Sequence, residues 1–379
     1  MAFLLLWALG CGGGGSTGNG GNGGGGGGGQ PACGGSKAGV KGPSAVAVNE
    51  TTNKIYVVNS GNGSVLVIDG ANNTTDLIDD QNATGTNNLA VDAASNTIYV
   101  TNGTSNNVTV IDGSNDCITD SGVGQGPVAA AVNATTSEVY VANSVSNDVS
   151  VLGPKPTTVK DANAFGPVAI VVDPHTNRIY TANFSESGHG VTVIDGSNNT
   201  VFDSISLNIK GQLAAVHPTA IGLNQTTNKI YVADQASNTI TVIDGASDDF
   251  TNIQDPSAVA PVALAVNATT NKVYVANSYS VTVVDGTNLA TTNIPDLNQF
   301  PKAVAVNPET NKIYVADGPG VLVINGSDNT TSRVTNSKGT GTNAVAINTT
   351  TNMIYVTNGT SNNVTVIDGS TDTVSATIP

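Results

Sequence analysis

The chain has 379 residues, of which only 11% are charged, and its net charge at pH 7 is −15. Such an acidic chain repels phosphate backbones, so the composition argues against nucleic-acid binding. With so few Lys and Glu residues, the surface must be built mainly from Asn, Thr, Ser and Gly. The chain is therefore expected to present a polar surface that carries little charge per residue.

The first eleven residues read MAFLLLWALGC, a short apolar run that ends in small residues before Cys11. About ten apolar residues are too few for a membrane-spanning helix but suit the core of an export signal. ALGC resembles the lipobox of bacterial lipoproteins, although no Lys or Arg precedes the run and Ala8 replaces the usual Leu. We predict a signal segment over residues 1–11 with lipidation at Cys11. A plain secretory signal cleaved nearby is the alternative.

Residues 12–41 are dominated by Gly, with Asn and Ser. This composition cannot bury a core and behaves as a flexible coil, with a reach on the order of 30 Å for about 30 residues. We predict a tether that holds the following domain at the cell envelope or outside the cell, with a lipid anchor as the only membrane contact. Cys33 in the tether and Cys117 further on could form a disulfide or remain two separate thiols, and their spacing matches no metal motif.

The stretch IYVTNGTSNNVTVIDGS occurs twice without a difference, at residues 98–114 and 354–370. A repeated segment suggests one repeating unit, and a tyrosine that follows Ile or Val marks each copy. Successive tyrosines are separated by 43, 41, 40, 51, 43, 40 and 41 residues. The tyrosines are Tyr56, Tyr99, Tyr140, Tyr180, Tyr231, Tyr274, Tyr314 and Tyr355. We predict eight repeats that form one domain over residues 42–379.

The sixth repeat, residues 261–297, shows what one unit builds. It contains the short apolar runs ALAV, VYVA and VTVV, then the polar segment ATTNI, with turn residues between them. Runs of this length and composition predict a four-stranded antiparallel meander. The first run has small residues, the middle runs are apolar throughout and the last is polar, which is typical of a β-propeller blade. We predict an all-β propeller, with eight four-stranded blades; seven blades or a parallel β-helix are alternatives.

Turn residues recur at two places in the repeat. Asn or Asp ends the first strand, and Asp-Gly or Asn-Gly follows the third strand in seven repeats, as tight hairpins require. A calcium site at these aspartates is disfavoured because the spacing lacks alternating carboxylates and Asn325 replaces one of them. The third repeat has LGPKPTT at residues 152–158 instead, which predicts a distorted outer hairpin.

YVTN itself stands at residues 99–102 and 355–358, with TTNKIYV and SNNVTVIDG around such positions. These motifs resemble the YVTN-repeat β-propeller family of bacterial and archaeal surface and periplasmic proteins, over about nine-tenths of the chain. Familiar members are often seven-bladed, whereas this chain has eight complete repeats. The first repeat starts with an inner strand and the last ends with an outer one, so we expect closure by packing, with no shared blade.

In a propeller, the loops between strands two and three and the connections between blades gather at one end of the channel, here called the top face. Binding sites are expected there. One polar residue per repeat starts each two-to-three loop, and turn capping explains these residues better than ligand binding. They are Asn59, Asn102, Asn143, Asn183, Asp234, Asn277, Asp317 and Asn358.

One sector departs from the pattern. An insertion at residues 207–220 causes the long tyrosine spacing, and blade four has the unusual loop NFSESGHGV. His189 and His217 therefore fall on neighbouring top-face loops, whereas His175 is expected on the opposite face. Variable surface loops are the simpler interpretation. The residues proposed for the binding face are Phe184, Glu186, His189, His217, Asp234 and Asp317.

Two classes of function remain. The favoured hypothesis is an exported, surface-tethered and non-catalytic binding module, a monomer without a cofactor, that holds a protein, glycan or small ligand on its top face. The alternative is a metal-assisted lyase or hydrolase at blades four and five using His189, His217 and Glu186. That arrangement is similar to lyase relatives of the superfamily, in which a histidine acts as base beside a divalent metal. No nucleophile elbow, CxxC pair or phosphate-binding Gly loop is present.

Overall fold

The computed structural model of the chain describes residues 32–33, 39–184, 190–207, 217–296 and 300–379. Within these ranges the regular structure is entirely β-strand, in eight antiparallel sheets of four consecutive strands each, one of which gains a fifth strand at its outer edge. No helix in this part of the chain is long and apolar enough to cross a membrane. The predicted eight-bladed propeller is confirmed, and the alternatives of seven blades and a parallel β-helix are wrong.

Each blade in the first half of the ring runs from an inner to an outer strand in chain order. A two-residue strand, β1 (Ala32–Cys33), precedes them and pairs with the outer strand of blade 2. The strands are, in blade 1, β2 Pro43–Asn49, β3 Lys54–Asn59, β4 Ser64–Asp69 and β5 Thr75–Asp79; in blade 2, β6 Thr86–Asp92, β7 Thr97–Asn102, β8 Asn107–Asp112 and β9 Cys117–Gly122; in blade 3, β10 Pro127–Asn133, β11 Glu138–Asn143, β12 Asp148–Leu152 and β13 Thr157–Val159; in blade 4, β14 Pro167–Asp173, β15 Arg178–Asn183, β16 Val191–Asp195 and β17 Thr200–Ile205.

The second half of the ring repeats this plan without an added strand. The strands are, in blade 5, β18 Pro218–Asn224, β19 Lys229–Asp234, β20 Thr239–Asp244 and β21 Phe250–Gln254; in blade 6, β22 Ala263–Asn267, β23 Lys272–Ala276, β24 Ser280–Asp285 and β25 Thr291–Pro295; in blade 7, β26 Ala303–Asn307, β27 Lys312–Ala316, β28 Gly320–Asn325 and β29 Thr331–Thr335; in blade 8, β30 Thr342–Asn348, β31 Met353–Asn358, β32 Asn363–Asp368 and β33 Thr373–Ile378.

The hydrophobic core lies between the blades. The second and third strands are almost fully buried along their length, whereas the fourth strand is largely exposed. Side chains on both faces of these middle strands pack against the neighbouring blades, which explains why the apolar runs do not alternate with polar residues. The innermost strands carry Ala and Val because the sheets converge at the channel.

The repeating tyrosine connects each blade to the next. Seven of the eight tyrosines are fully buried, and Tyr140 and Tyr314 hydrogen-bond Asn199 and Asp372 in the three-to-four turn of the following blade. Tyr99, in blade 2, is partly exposed. The blade that follows it has the Gly-Pro-rich turn in place of Asp-Gly and a fourth strand of only three residues. The predicted distortion of the third repeat is confirmed. Because this outer hairpin packs less completely over blade 2, Tyr99 stays partly exposed.

Asparagines at the end of strand one form a second link, here called the asparagine belt. In six of the eight junctions the side-chain amide donates to the left-handed residue of the next blade's one-to-two hairpin, at 2.7–3.0 Å. The pairs are Asn49–Asn96, Asn133–Asn177, Asn224–Asn271, Asn267–Asn311, Asn307–Asn352 and Asn348–Asn53. The belt runs around the bottom face, the end opposite the top face, and explains why asparagine recurs at this position.

Replacing Asn307 by alanine is expected to destabilise the protein by about 2 kcal/mol in urea denaturation. The change removes the bond to Asn352 at 2.8 Å and leaves the amides of Glu309 and Thr310 without their acceptor; each such loss costs roughly 0.5–1.5 kcal/mol. Thr360→Ala, at an exposed loop position, is the control and is expected to change stability by less than about 0.5 kcal/mol. Equal stability of the two variants would contradict a structural role for the belt.

Blades 1 and 8 close the ring by packing and side-chain bonds. Blade 8 consists only of β30–β33, so no strand is shared. Asn348 donates to Asn53 at 2.8 Å, and both the amide and the hydroxyl of Thr349 donate to Glu50 Oε1 at 2.7 Å. A buried cluster of apolar side chains spans the two blades. The predicted closure without a shared blade is confirmed.

The register of β1 on β9 places Cys33 directly opposite Cys117. Cys117 is disulfide-bonded in the structure. Of the two alternatives that the sequence left open, the structure therefore supports the disulfide over two separate thiols.

Candidate functional site

The polar residues that start the two-to-three loops hold blades together. All eight are buried, at 1% exposure or less. Asn102 donates to the Thr109 hydroxyl at 2.8 Å, and Thr109 donates to Asp80 of the preceding blade at 2.5 Å. The same Asp–Thr–Asn link, here called the clasp, joins Asp255 of blade 5 to blade 6 through Thr282. These residues therefore stabilise the junctions from inside and do not face solvent.

The junction between blades 4 and 5 lacks the clasp. Asp234 occupies the asparagine position, and the preceding blade supplies the buried Leu207 instead of an aspartate. The Thr241 hydroxyl lies 2.7 Å from Asp234 Oδ2, while Oδ1 is buried and has no hydrogen-bond partner in the described part of the chain. Burial raises the pKa of Asp234 to about 7, and the bonds from Thr241 and Thr239 oppose this increase only in part.

Blade 7 replaces the clasp by an ion cluster. Leu322 stands at the position of the clasp threonine, and Asp317 at the position of the asparagine. Arg333, on the outer strand, donates to Asp317 and to Asp296 of blade 6. Asp317 is fully buried and Asp296 is 5% exposed. Burial, followed by the Asp317 carboxylate, raises the pKa of Asp296 to about 6, and Arg333 opposes that increase.

Exposed apolar side chains concentrate on the top face. Seven large apolar side chains in the described ranges are strongly exposed, and six of them lie on two-to-three loops or blade connections from blade 3 to blade 7. We call these six the apolar arc: Val145, Phe165, Phe184, Val259, Tyr279 and Phe300. The seventh, Phe202, lies on the outer strand of blade 4, where the Arg178 guanidinium sits 4.0 Å above its ring.

The repeats themselves show that the fold does not require this arc. At the loop position of Val145, blades 2 and 8 carry the exposed residues Thr104 and Thr360. At the connection position of Phe165, the same blades carry Thr84 and Thr340, also exposed. Equivalent positions thus hold hydroxyls on one half of the top face and apolar side chains on the other. The apolar residues are therefore candidates for function and not for folding.

Phe184 and His217 form a stacked pair within the arc. Their ring centroids are 4.3 Å apart and their planes are inclined by 20°. His217 has φ of 59°, at a turn position that glycine occupies in five blades, for example Gly166 with φ of 61°. A left-handed conformation costs a non-glycine residue about 1–2 kcal/mol. Histidine is thus less favourable than glycine in this left-handed conformation. Its ring makes a contact with Phe184 that glycine could not make.

Tyr279 and Phe300 repeat the arrangement two junctions further round, between blades 6 and 7. Their centroids are 5.3 Å apart with a tilt of 55°, and the side chains are 49% and 58% exposed. Each pair joins a two-to-three loop to the connection that enters the next blade. The arc therefore contains two aromatic platforms separated by one blade, with Val259 between them.

Of the residues proposed from sequence, Phe184 and His217 come together on the top face, whereas Glu186 and His189 lie outside the described residues, as does Cys11. Asp234 and Asp317 are fully buried in blade junctions, so neither side chain reaches the face. The sequence analysis missed Tyr279 and Phe300. An alignment of the eight repeats could have found them, because aromatic residues replace Gly, Ser or Thr at loop positions.

The titratable groups of the described ranges do not form a metal site: no three His, Cys, Asp or Glu side chains there are close enough together to hold an ion. His175 lies on the bottom-face hairpin of blade 4, as expected, with Nδ1 3.5 Å from Asp173. The lyase alternative depends on Glu186 and His189 and stays a prediction.

Comparison with family models and with curated proteins found no match. Among solved structures, hydrazine synthase from Kuenenia stuttgartiensis is similar, with 17% identity, a TM-score of 0.59 and coverage of 88% of this chain and 97% of that one. Dihydro-heme d1 dehydrogenase NirN in complex with DHE has 14% identity, a TM-score of 0.66 and coverage of 87% and 73%. A streptogramin B lyase has 11% identity, a TM-score of 0.58 and coverage of 76% and 94%. At these identities the likeness shows the β-propeller fold alone.

Proposed function

We propose that this protein is an exported, envelope-tethered binding module without chemistry of its own, and that the apolar arc holds its ligand. The observation that carries the proposal is that, of the seven large apolar side chains strongly exposed in the described ranges, six cluster on one face. Loops on a rigid scaffold are the usual place for binding residues, and exposed apolar patches mark interaction sites. The blades beneath the arc are closely packed and hydrogen-bonded, so the loops start from fixed positions.

Export and tethering rest on separate observations. The apolar start with Cys11 and the Gly-rich residues 12–41 are typical of a lipid-anchored envelope protein. The disulfide at Cys117 supports the same location, because disulfides persist in oxidising compartments and are rare in the cytosol.

A neutral glycan is the ligand that fits the arc best. The net charge of −15 repels anionic polymers and anionic membranes. Partly exposed serines lie beside the arc, at Ser144 and Ser146 in blade 3 and at Ser278 in blade 6, and they supply hydroxyl groups. A sugar ring packs its C–H face on an aromatic ring and directs its hydroxyls to such groups. A protein interface would instead place a continuous apolar core within a polar rim.

The test measures binding of the full chain to an array of immobilised neutral and acidic glycans. The triple variant Phe184→Ala, Tyr279→Ala, Phe300→Ala is expected to lose affinity for the bound neutral glycans at least tenfold, since 1.4 kcal/mol corresponds to a factor of ten. The matched control is Thr84→Ala, Thr104→Ala, Thr360→Ala on the other half of the face, which should retain the affinity of the native chain. Absence of any neutral glycan ligand, or equal loss in both variants, contradicts the proposal.

A further inference from the structure

The central channel contains a cavity of about 180 Å³ that is distinct from the apolar arc. Its wall is formed by innermost strands of blades 8, 1, 2, 3 and 4, through residues 46–48, 89–91, 130–132 and 346–347 together with Val172. These residues are all Val, Ala, Leu or Ile. Glu50, Thr51 and Thr349, from the one-to-two hairpins, line its outer end, so the cavity opens at the bottom face.

Small side chains create this space. Ala47, Ala90, Ala131 and Ala346 occupy the same position in strand one of their four blades, and all four line the cavity. The side of the channel at blades 5 and 6 is different. There Leu264 packs over Gly222 so closely that a Cβ at residue 222 would lie 2.3 Å from Leu264 Cδ1. Ala265 and Ala305 occupy the same strand-one position in blades 6 and 7, so alanine alone does not place the cavity. Leu264 fills the channel at blades 5 and 6, and the cavity therefore lies toward blades 8, 1, 2, 3 and 4.

The chemistry of the wall defines what can enter. Asn88 also lines the cavity, but its amide donates to Val128 O at 3.4 Å and its Oδ1 accepts from the Leu89 amide at 2.8 Å, so both groups already have partners. The side chains at the alanine level are aliphatic and offer water none of the polar partners that it needs. The carboxylate of Glu50 remains at the rim, where Thr349 donates to its Oε1 twice at 2.7 Å. An enclosed apolar cavity of about 150 Å³ in another protein binds benzene. The volume here is of the same order.

We propose that the channel is a binding site for a small neutral apolar molecule, about the size of one aromatic ring, that enters from the bottom face. This site does not depend on the proposed function of the apolar arc, which lies at the other end of the propeller. The ligand would bury its surface against the aliphatic side chains of the wall, and this burial of apolar area favours binding.

The test is a titration of the full chain with toluene, followed through the methyl signals of alanine in a carbon-13 NMR spectrum. The signals of Ala47, Ala90, Ala131 and Ala346 are expected to shift saturably at millimolar toluene, while alanines of the top-face loops do not. Ala90→Leu fills the cavity and should weaken toluene binding at least tenfold. Ala236→Leu, at an exposed loop position of blade 5, is the matched control and should bind as the native chain does.

A spectrum of the native chain without saturable shifts at the alanine level overturns the proposal whatever the variants do. Overpacking by leucine can cost about 1–3 kcal/mol, so Ala47→Val provides a milder second variant, for which partial weakening is expected. Unchanged affinity in a folded Ala90→Leu protein would also overturn the proposal.

Discussion

Replacing Arg333 by methionine is expected to destabilise the protein by about 3 kcal/mol or more. The guanidinium is the partner of Asp317, which is fully buried, and of Asp296, which is 5% exposed. Removing one member of a buried ion cluster leaves uncompensated charge, which typically costs about 3–5 kcal/mol. The lower end applies here because the arginine side chain is itself 29% exposed. Urea denaturation at pH 7 measures the effect.

The clasp of blade 6 suggests a variant of blade 7 that should recover the stability lost in Arg333→Met. In blade 6, Asp255 accepts from Thr282 and Asn293, and Asn277 donates to Thr282. The triple variant Asp317→Asn, Leu322→Thr, Arg333→Asn copies that clasp into blade 7, where Asp296 takes the place of Asp255. It should recover most of the stability that Arg333→Met loses. A triple variant no more stable than Arg333→Met would show that the ion cluster and the clasp are not equivalent solutions.

Asp234→Asn is expected to stabilise the protein at pH 8 by a few kcal/mol. Burial raises the pKa of Asp234 from 3.8 to about 7, so the native state binds this proton more tightly than the unfolded chain does. Stability from this group is therefore greatest below pH 4, falls as pH rises from about 4 to about 7, and is constant above that range. Each pKa unit corresponds to about 1.4 kcal/mol. Asparagine removes this dependence.

The measurement compares urea unfolding of the native chain and of Asp234→Asn between pH 5 and pH 8. The stability difference should grow with pH and level off near pH 8. Asn277→Asp places a carboxylate at the same position of blade 6. Where Asp234→Asn removes a pH-dependent loss of stability, this variant should add one, so that its stability falls relative to the native chain as pH rises. A stability difference that does not vary with pH would contradict the raised pKa of Asp234.

The fold could be predicted from the sequence because each blade repeats the same pattern of strand and turn residues. Tyrosine spacing gave the number of blades, and the lack of a leftover strand gave the mode of closure. The belt and clasp could not be derived from one repeat, because Asn49 and Thr109 find their partners in other blades. Which residues become partners depends on how neighbouring blades pack in the ring, and not on the local conformation of one repeat.

The candidate site was harder to predict. The two top-face histidines directed the prediction to blades 4 and 5, and Asp317 of blade 7 was the one residue proposed outside that sector. Phe184 and His217 lie on the top face as expected, but Asp234 is buried by the same packing that buries its asparagine counterparts. Whether a polar residue at a strand end is exposed depends on the neighbouring blade, which a single sequence does not show. The exposed aromatic residues Tyr279 and Phe300 stand out only when repeats are compared position by position.

The central claim is that ligand binds on the apolar half of the top face. Hydrogen–deuterium exchange of the full chain, with and without a neutral glycan identified on the array, tests it most directly. The account predicts slower exchange at residues 144–147, 164–166 and 278–280, with no change at the threonine-bearing loops around Thr104 and Thr360. Protection confined to the threonine half or to the one-to-two hairpins of the bottom face would contradict it.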